Sequence, residues 1–320
     1  MINRLRTRIA TLALLFSASF TAQAQTPRTP DGHPDLQGTW TINTLTPLER
    51  PAEFAGKPTL SDEEALAYEK RDHNPFSERD LPGESLARVQ EGNAIGAGDS
   101  EMWETGSALA RVDGLKRTSM IVDPPDGKIP ALTPEAKQRA AARRANRDQA
   151  DSVKDLSPKE RCLAYSTVPM VQQAYNNNYQ IVQTPGYVMI LGEMIHDARI
   201  IRMNATHTSQ SVHQWLGDST GSWEGDTLVI DTTNFKSQGA FRGGTENLHV
   251  VERLSRPDAD TLLYRATIDD PATFSKPWTI EYPLTATTDR IFEYACHEGN
   301  SWVESRLTAA RKAEAAAGAR

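Results

Sequence analysis

From Tyr179 to the region of His297 the chain alternates apolar and polar residues in short runs bounded by turn residues. YQIVQT, YVMILGEM, RIIRM, the run near Val212 to Leu216, GSWE, TLVIDTT, LHVVERL, TLLYRATI, WTIEYPL and RIFEYACH each read as a strand, because successive strand side chains point to opposite faces. Pro185-Gly186, Glu224-Gly225-Asp226 and Pro257-Asp258-Ala259-Asp260 supply the tight turns. Strands that follow closely, with no helical pattern between them, pair antiparallel, since parallel neighbours need long crossovers. So many strands in one sheet must curl, which predicts a barrel or a sandwich, with the barrel preferred.

The pattern upstream is different. Ser61-Asp62-Glu63-Glu64 has capping-box spacing and predicts a helix over 61–72, and Thr133-Pro134 starts a second. Arg139, Arg143 and Arg147 fall on one face of that helix, which reads as a solvated face. Ser157-Pro158-Lys159-Glu160 repeats the capping box before a short helix carrying Cys162. Residues 117–130 read as a hairpin turning at Pro124-Pro125-Asp126-Gly127. QGTWTIN, residues 37–43, is one further strand. Its Gly38-x-Trp40 resembles the opening motif of lipocalin-like barrels, where the Trp plugs one end, and Gly221-x-Trp223 repeats it. The expected fold is mainly β: an antiparallel lipocalin- or calycin-like barrel over 171–305. A helix- and loop-rich segment, 25–170, wraps on it, and 306–320 form a tail.

Composition narrows the partners. The 320 residues carry 35 Lys plus Arg against 42 Asp plus Glu, a formal charge of −7 that argues against nucleic acid. No apolar run is long enough to span a bilayer as a helix. Arg4, Arg6 and Arg8, an apolar stretch from Ile9 to Ala22, and Ala22-Gln23-Ala24 read as a signal peptide over 1–24, which implies a periplasmic or secreted protein. In an oxidising compartment Cys162 and Cys296 are expected to form a disulfide, the competing reading being two buried thiols.

Chemistry-bearing motifs are sparse. GxSxG, HExxH, a P-loop and a strand-linked GxGxxG are all missing from the sequence, so no cofactor is expected. The histidines at 196, 207, 213, 249 and 297 lack paired ligand spacing; no metal is assigned, although a site assembled from distant strands stays open. Three polar clusters remain. In the first, Glu193 precedes His196, Asp197 and Arg199 at a strand end, offering a base, an orienting carboxylate and an oxyanion partner. The second holds Tyr294, Cys296, His297 and Glu298, where a disulfide would fix a candidate acid in place. The third is Asn176, Asn177, Asn178 and Tyr179, whose amides and aromatic face suit a ligand or cap their own loop. Trp215 is a further ligand-binding candidate. Glu252, Glu281 and Glu293 matter only if their strands turn them inward.

Taken together, RTSMIVDPPDGKIPALTPEA, ERCL, YNNNYQIVQTPGYVMI, EMIHDARII, QWLGDSTGSWEGDTLVIDTTNF, ENLHVVERLSR, KPWTIEYPL and IFEYACHEGN make the chain resemble a large family of secreted, mostly uncharacterised bacterial proteins. The resemblance covers most of 25–310 and implies a lipocalin-like strand pattern. It brings no activity with it. His196, Asp197, Arg199, Cys162, Cys296, His297 and Glu298 lie within its strings.

The resulting expectation is an exported enzyme acting on a small, partly aromatic molecule by cofactor-independent acid/base chemistry, as a lyase, isomerase or hydrolase. The alternatives are a binding protein using the same cavity without turnover, and a structural envelope protein. Oligomeric state is not legible in the sequence.

Overall fold

A computed structural model describes residues 26–71, 106–145, 150, 152–165, 167–173 and 175–318. The expected signal peptide and Arg147 lie outside the described residues. Among the described residues are thirteen strands: β1 (Gly38–Thr41), β2 (Thr59–Leu60), β3 (Arg111–Val112), β4 (Leu115–Arg117), β5 (Ile121–Asp123), β6 (Asn178–Gln183), β7 (Tyr187–Gly192), β8 (Ala198–Met203), β9 (Asp218–Glu224), β10 (Thr227–Thr233), β11 (His249–Ser255), β12 (Thr261–Asp269) and β13 (Trp278–Thr287). The longer helices are α1 (Asp62–Glu69), α2 (Pro134–Ala145) and α3 (Ser301–Gly318).

Nine strands close a ring in the order β1-β6-β7-β8-β9-β10-β11-β12-β13, sealed by β13 pairing with β1. β5 takes the remaining length of the same β13 edge, beyond β1. The barrel is mixed rather than purely antiparallel, because β8 and β9 run parallel. The sequence pattern predicts a strand near Val212 to Leu216. Instead residues 204–217 are a loop that crosses the barrel wall and brings β9 back in the direction of β8. Gly221 permits that contact: a Cβ there would meet Met203 Sδ at 2.7 Å and Ile201 Cγ2 at 2.8 Å. The other misplaced strand is RIFEYACH, which is irregular throughout. Both edges of β13 are already taken, by β12 on one side and by β1 and β5 on the other, so no ladder was left for it.

Elsewhere the alternation folds as written. On β10, Leu228, Ile230 and Thr232 point in, and on β12 Leu262, Tyr264, Ala266 and Ile268 do. These side chains, with Ile181, Val188, Ile190, Val250, Ile280 and Leu284, form one continuous interior. Gly225 at φ +58 makes the two-residue β9–β10 turn, a left-handed position that favours glycine.

Helix starts also follow their chemistry. The Glu64 N–H donates to Ser61 Oγ and the Ser61 N–H to Glu64 Oε2, completing the capping box of α1. Ser157 and Glu160 make the same reciprocal bonds, but the chain turns away there, with Cys162 at φ +54, and no helix follows. The Pro124–Gly127 turn forms (Gly127 N–H to Pro124 O, 2.9 Å), yet only its first arm becomes a strand. α3 occupies the expected tail, held by Trp302 Nε1 donating to Glu160 Oε1 at 3.0 Å and by Ala310 packed with Ala150 and Leu156.

The two ends of the barrel differ. At one, Trp40 lies buried with its Nε1 donating to Leu36 O at 3.0 Å, and the Arg256 guanidinium sits 5.1 Å from its ring centre. Gln183 seals that end by accepting from the Leu36 N–H and donating to Pro34 O. At the other end, residues 167–173 lie across the opening. Tyr264 accepts from the Met170 N–H at 3.0 Å, and the Tyr282 hydroxyl donates to Met170 O.

Candidate functional site

Beneath that strap lies a buried ion pair. Arg199 on β8 and Glu252 on β11 both face inward; Nη2 donates to Oε1 at 3.0 Å and Nη1 to Oε2. The Tyr264 hydroxyl adds a bond to Glu252 Oε1 at 2.7 Å. Burial works to lower the Arg199 pKa, but Glu252 outweighs it and holds it above the usual value. Burial pushes the Tyr179, Tyr264 and Tyr282 hydroxyls well up, so they remain neutral hydrogen-bonding groups. A bidentate pair that is fully desolvated leaves little of the Arg199 charge for a ligand's oxyanion.

On the outer side of the strap is a half-open cavity of about 700 Å³. Its wall is built by four loop segments at this end of the barrel, the stretches after β1 and before β6, the crossover before β9 and the turn after β10, together with Met120 before β5. Tyr165, Trp215, Phe235 and Phe241 supply aromatic surface, and Gln172, Gln173 and Gln238 supply amides. Lys159 and Arg242 supply positive charge. Lys159 Nζ lies 4.3 Å from the Tyr165 ring centre, Lys236 Nζ 4.6 Å and Arg161 Cζ 5.6 Å from that of Trp215, and Arg242 Cζ 5.6 Å from that of Phe241. Cations over aromatic faces hold charge at an apolar wall without neutralising it.

The candidates from the sequence are scattered rather than gathered at one place. Trp215 lines the cavity. Arg199 and Tyr179 belong to the barrel interior. Glu193, His196, Asp197 and Tyr294 form a seam beside the cavity, joining the turn after β7 to the irregular segment 291–296. Glu193 Oε1 accepts from the Phe292 N–H at 3.2 Å, and His196 Nδ1 lies 2.8 Å from Tyr294 O. Asp197 Oδ2 accepts from the N–H of Tyr165, a cavity-lining residue, at 3.1 Å. Burial raises the Asp197 carboxyl to about 6, and burial beside Tyr175 raises Tyr294 to about 12. The disulfide Cys162–Cys296, with S–S 2.02 Å, fastens this seam to the cavity wall.

His196, His297 and Glu298 are exposed, and none of the three lines the cavity. Asn177 caps its own loop, accepting from the Gln173 N–H at 2.6 Å and donating to Gln173 O at 3.0 Å. Asn178 is buried at the start of β6, where its carbonyl accepts from the Glu193 N–H, and Asn176 is half-buried at φ +56. Of the mid-strand carboxylates, Glu252 faces inward, Glu281 pairs with Arg117 and Arg265 on the outside, and Glu293 is exposed.

The cavity residues Lys159, Tyr165, Gln172, Phe241 and Arg242 carried no usable signal in the sequence. They sit on loops, where no periodicity marks them, and FRGG reads simply as a turn. Glu252 did carry one, since VVERL places it on the same face as Val250 and Leu254.

Outside the barrel, the crossover loop packs a second polar network on the wall. His207 Nδ1 lies 3.1 Å from Asp218 Oδ2 and its Nε2 2.8 Å from Asp231 Oδ1; His249 Nε2 lies 2.7 Å from Asp231 Oδ2. Asp231 is lowered first by its hydrogen bond with His249, which is raised in turn by the same bond. Among the described residues no group of three or more His, Cys, Asp or Glu is arranged to hold a metal ion, and no helix is long and apolar enough to cross a membrane.

Fold and site together define a closed, mixed nine-strand β-barrel that carries a half-open, aromatic-walled cavity at one end. No protein-family model matches the chain, and no curated protein or solved structure matches it either.

Proposed function

We propose that this is an exported small-molecule-binding protein that takes a partly aromatic ligand into the cavity at the open end of the barrel. The carrying observation is the wall itself: some 700 Å³ lined by Tyr165, Trp215, Phe235 and Phe241, with side-chain amides among them. Ligand sites of this size are mostly apolar, with a few polar groups that orient the guest. The Cys162–Cys296 disulfide supports an oxidising compartment, periplasmic or secreted. It also stiffens the wall, which lowers the ordering cost of binding.

Native mass spectrometry of the full chain, purified from an oxidising periplasm, tests this. The expected result is a retained small molecule, released unaltered on denaturation and lost from a cavity-filling Ala164→Trp variant. A protein that neither retains nor takes up any aromatic molecule would overturn the proposal.

Turnover by acid/base chemistry is the second reading, and one observation favours it. Asp197, raised to about 6, is hydrogen-bonded to the backbone of cavity-lining Tyr165 and would change protonation near neutrality. Recovery of a chemically altered ligand, with a rate profile turning near pH 6 that Asp197→Asn abolishes, would establish it.

A further inference from the structure

The charge around the cavity runs against that of the whole chain. Several guanidiniums elsewhere on the surface meet carboxylates: Arg28 with Asp226, Arg71 with Glu53, Arg253 with Glu224 and Arg265 with Glu281. Lys159, Arg161, Lys236 and Arg242 form no ion pair and donate no side-chain hydrogen bond to any described residue, and each lies over an aromatic ring instead. Two of the four line the cavity, and the other two flank Trp215, which also lines it. In a chain of formal charge −7, four cations converge on one aromatic pocket with no protein acceptor among the described residues, a local positive field that suits an anionic guest.

Arg242 is the most constrained of them. Its backbone is left-handed, φ +52 and ψ +36, where a bulky residue is strained, and two glycines follow it. Burial lowers its pKa, while Glu49 attracts it without forming an ion pair. Arg242 is nonetheless exposed at the cavity edge, and its planar guanidinium, with no acceptor among the described residues, can meet an anion in bidentate fashion. The aromatic neighbours decide what that anion is attached to, since Tyr165, Trp215 and Phe241 offer faces for a flat guest.

Resting on the binding reading above, we infer that the cavity's ligand is an aromatic carboxylate of one or two rings, its carboxylate held by Arg242 with Lys159 and its rings against Trp215 and Tyr165.

Isothermal titration calorimetry of the full chain with 2-naphthoate, 2-naphthamide and cyclohexanecarboxylate separates the parts. The expected order is 2-naphthoate at least tenfold tighter than either of the others, with affinity falling as salt rises. Arg242→Gln should remove most of the advantage of naphthoate over naphthamide, the ratio of the two affinities being the readout. Lys159→Gln, on an exposed turn, should do the same to a smaller extent. Equal affinity for naphthoate and naphthamide would overturn the anion while leaving the cavity reading standing. Equal affinity for naphthoate and cyclohexanecarboxylate would overturn the aromatic requirement. Binding of none of the three would overturn the cavity reading itself.

Discussion

The closed and open ends of the barrel are built from similar residues used in opposite ways. Both pair a tryptophan with a cation: Trp40 with Arg256, and Trp215 with Lys236 and Arg161. At the closed end Arg256 also donates to Asp35 O, Asp258 O and Ala259 O, so its hydrogen-bonding capacity is used within the fold. At the open end the cations keep theirs. A structural cation–aromatic contact is thus finished by backbone carbonyls, whereas a recognition contact is left unfinished. The aromatic pair alone would not tell one from the other.

That contrast can be broken by experiment. The largest expected effect is Trp40→Ala, which should cost about 3–5 kcal/mol in urea unfolding because it empties a packed site. Trp215→Ala should cost less than about 1 kcal/mol, since its ring faces a cavity that already exists. Comparable losses would mean that the open end is as structural as the closed one. Glu252→Gln comes next, with an expected loss of about 3 kcal/mol from leaving the Arg199 charge buried without its carboxylate. Replacing both Arg199 and Glu252 by apolar residues of similar size should recover most of that, which a double-mutant cycle would read out.

Converting Cys162 and Cys296 to serine should remove about 2 kcal/mol or more, given the long loop they close. It should weaken ligand retention more than Trp40→Ala does at equal residual stability, because the bond fastens the cavity wall. Retention unaffected by reduction would separate the seam from the site.

The smallest effects are in pH dependence. Asp197 has its folded pKa raised from 3.8 to about 6, so the folded state holds the proton more tightly than the unfolded chain. Stability from this group is present below about pH 4 and is lost as pH rises toward 6; Asp197→Asn should remove that loss. The outer network has the opposite acid limb. Lowered Asp218 and Asp231 stabilise above their unfolded value of 3.8, and raised His249 stabilises below 6.5 and loses its contribution as pH climbs through its folded pKa. Asp231→Asn should therefore flatten the melting-temperature maximum between those two values.

How much of this was legible depends on where the residues sit. Along the barrel strands β6 to β13 alternation identified each strand, as with Leu228, Ile230 and Thr232, and Gly38-x-Trp40 marked the strand that completes the ring, whereas the short strands β2, β3 and β4 were too brief to show a period. Pairing was less legible. IFEYACH alternates as well as any strand, but whether a sheet edge is free to receive it is a property of the closed ring and not of that segment. The ion pair was partly readable, since Arg199 shares a face with Ile201 and Glu252 with Leu254. The cavity was nearly invisible, because loop residues such as Lys159 and Arg242 gain their meaning only from neighbours far away in the chain. The histidines lacked paired ligand spacing in the sequence, and in the structure His207 ties the crossover loop to Asp218 and Asp231 on the wall while His249 bonds Asp231.

The single parallel contact has a consequence of parity. A ring whose neighbours all run antiparallel must contain an even number of strands, so a ring of nine has to break the alternation somewhere. It breaks between β8 and β9, and the chain must then travel the full height of the wall to start again at the opposite rim. Residues 204–217 make that journey and arrive carrying Trp215. The odd strand count is therefore what brings one of the cavity's four aromatic side chains to the open end.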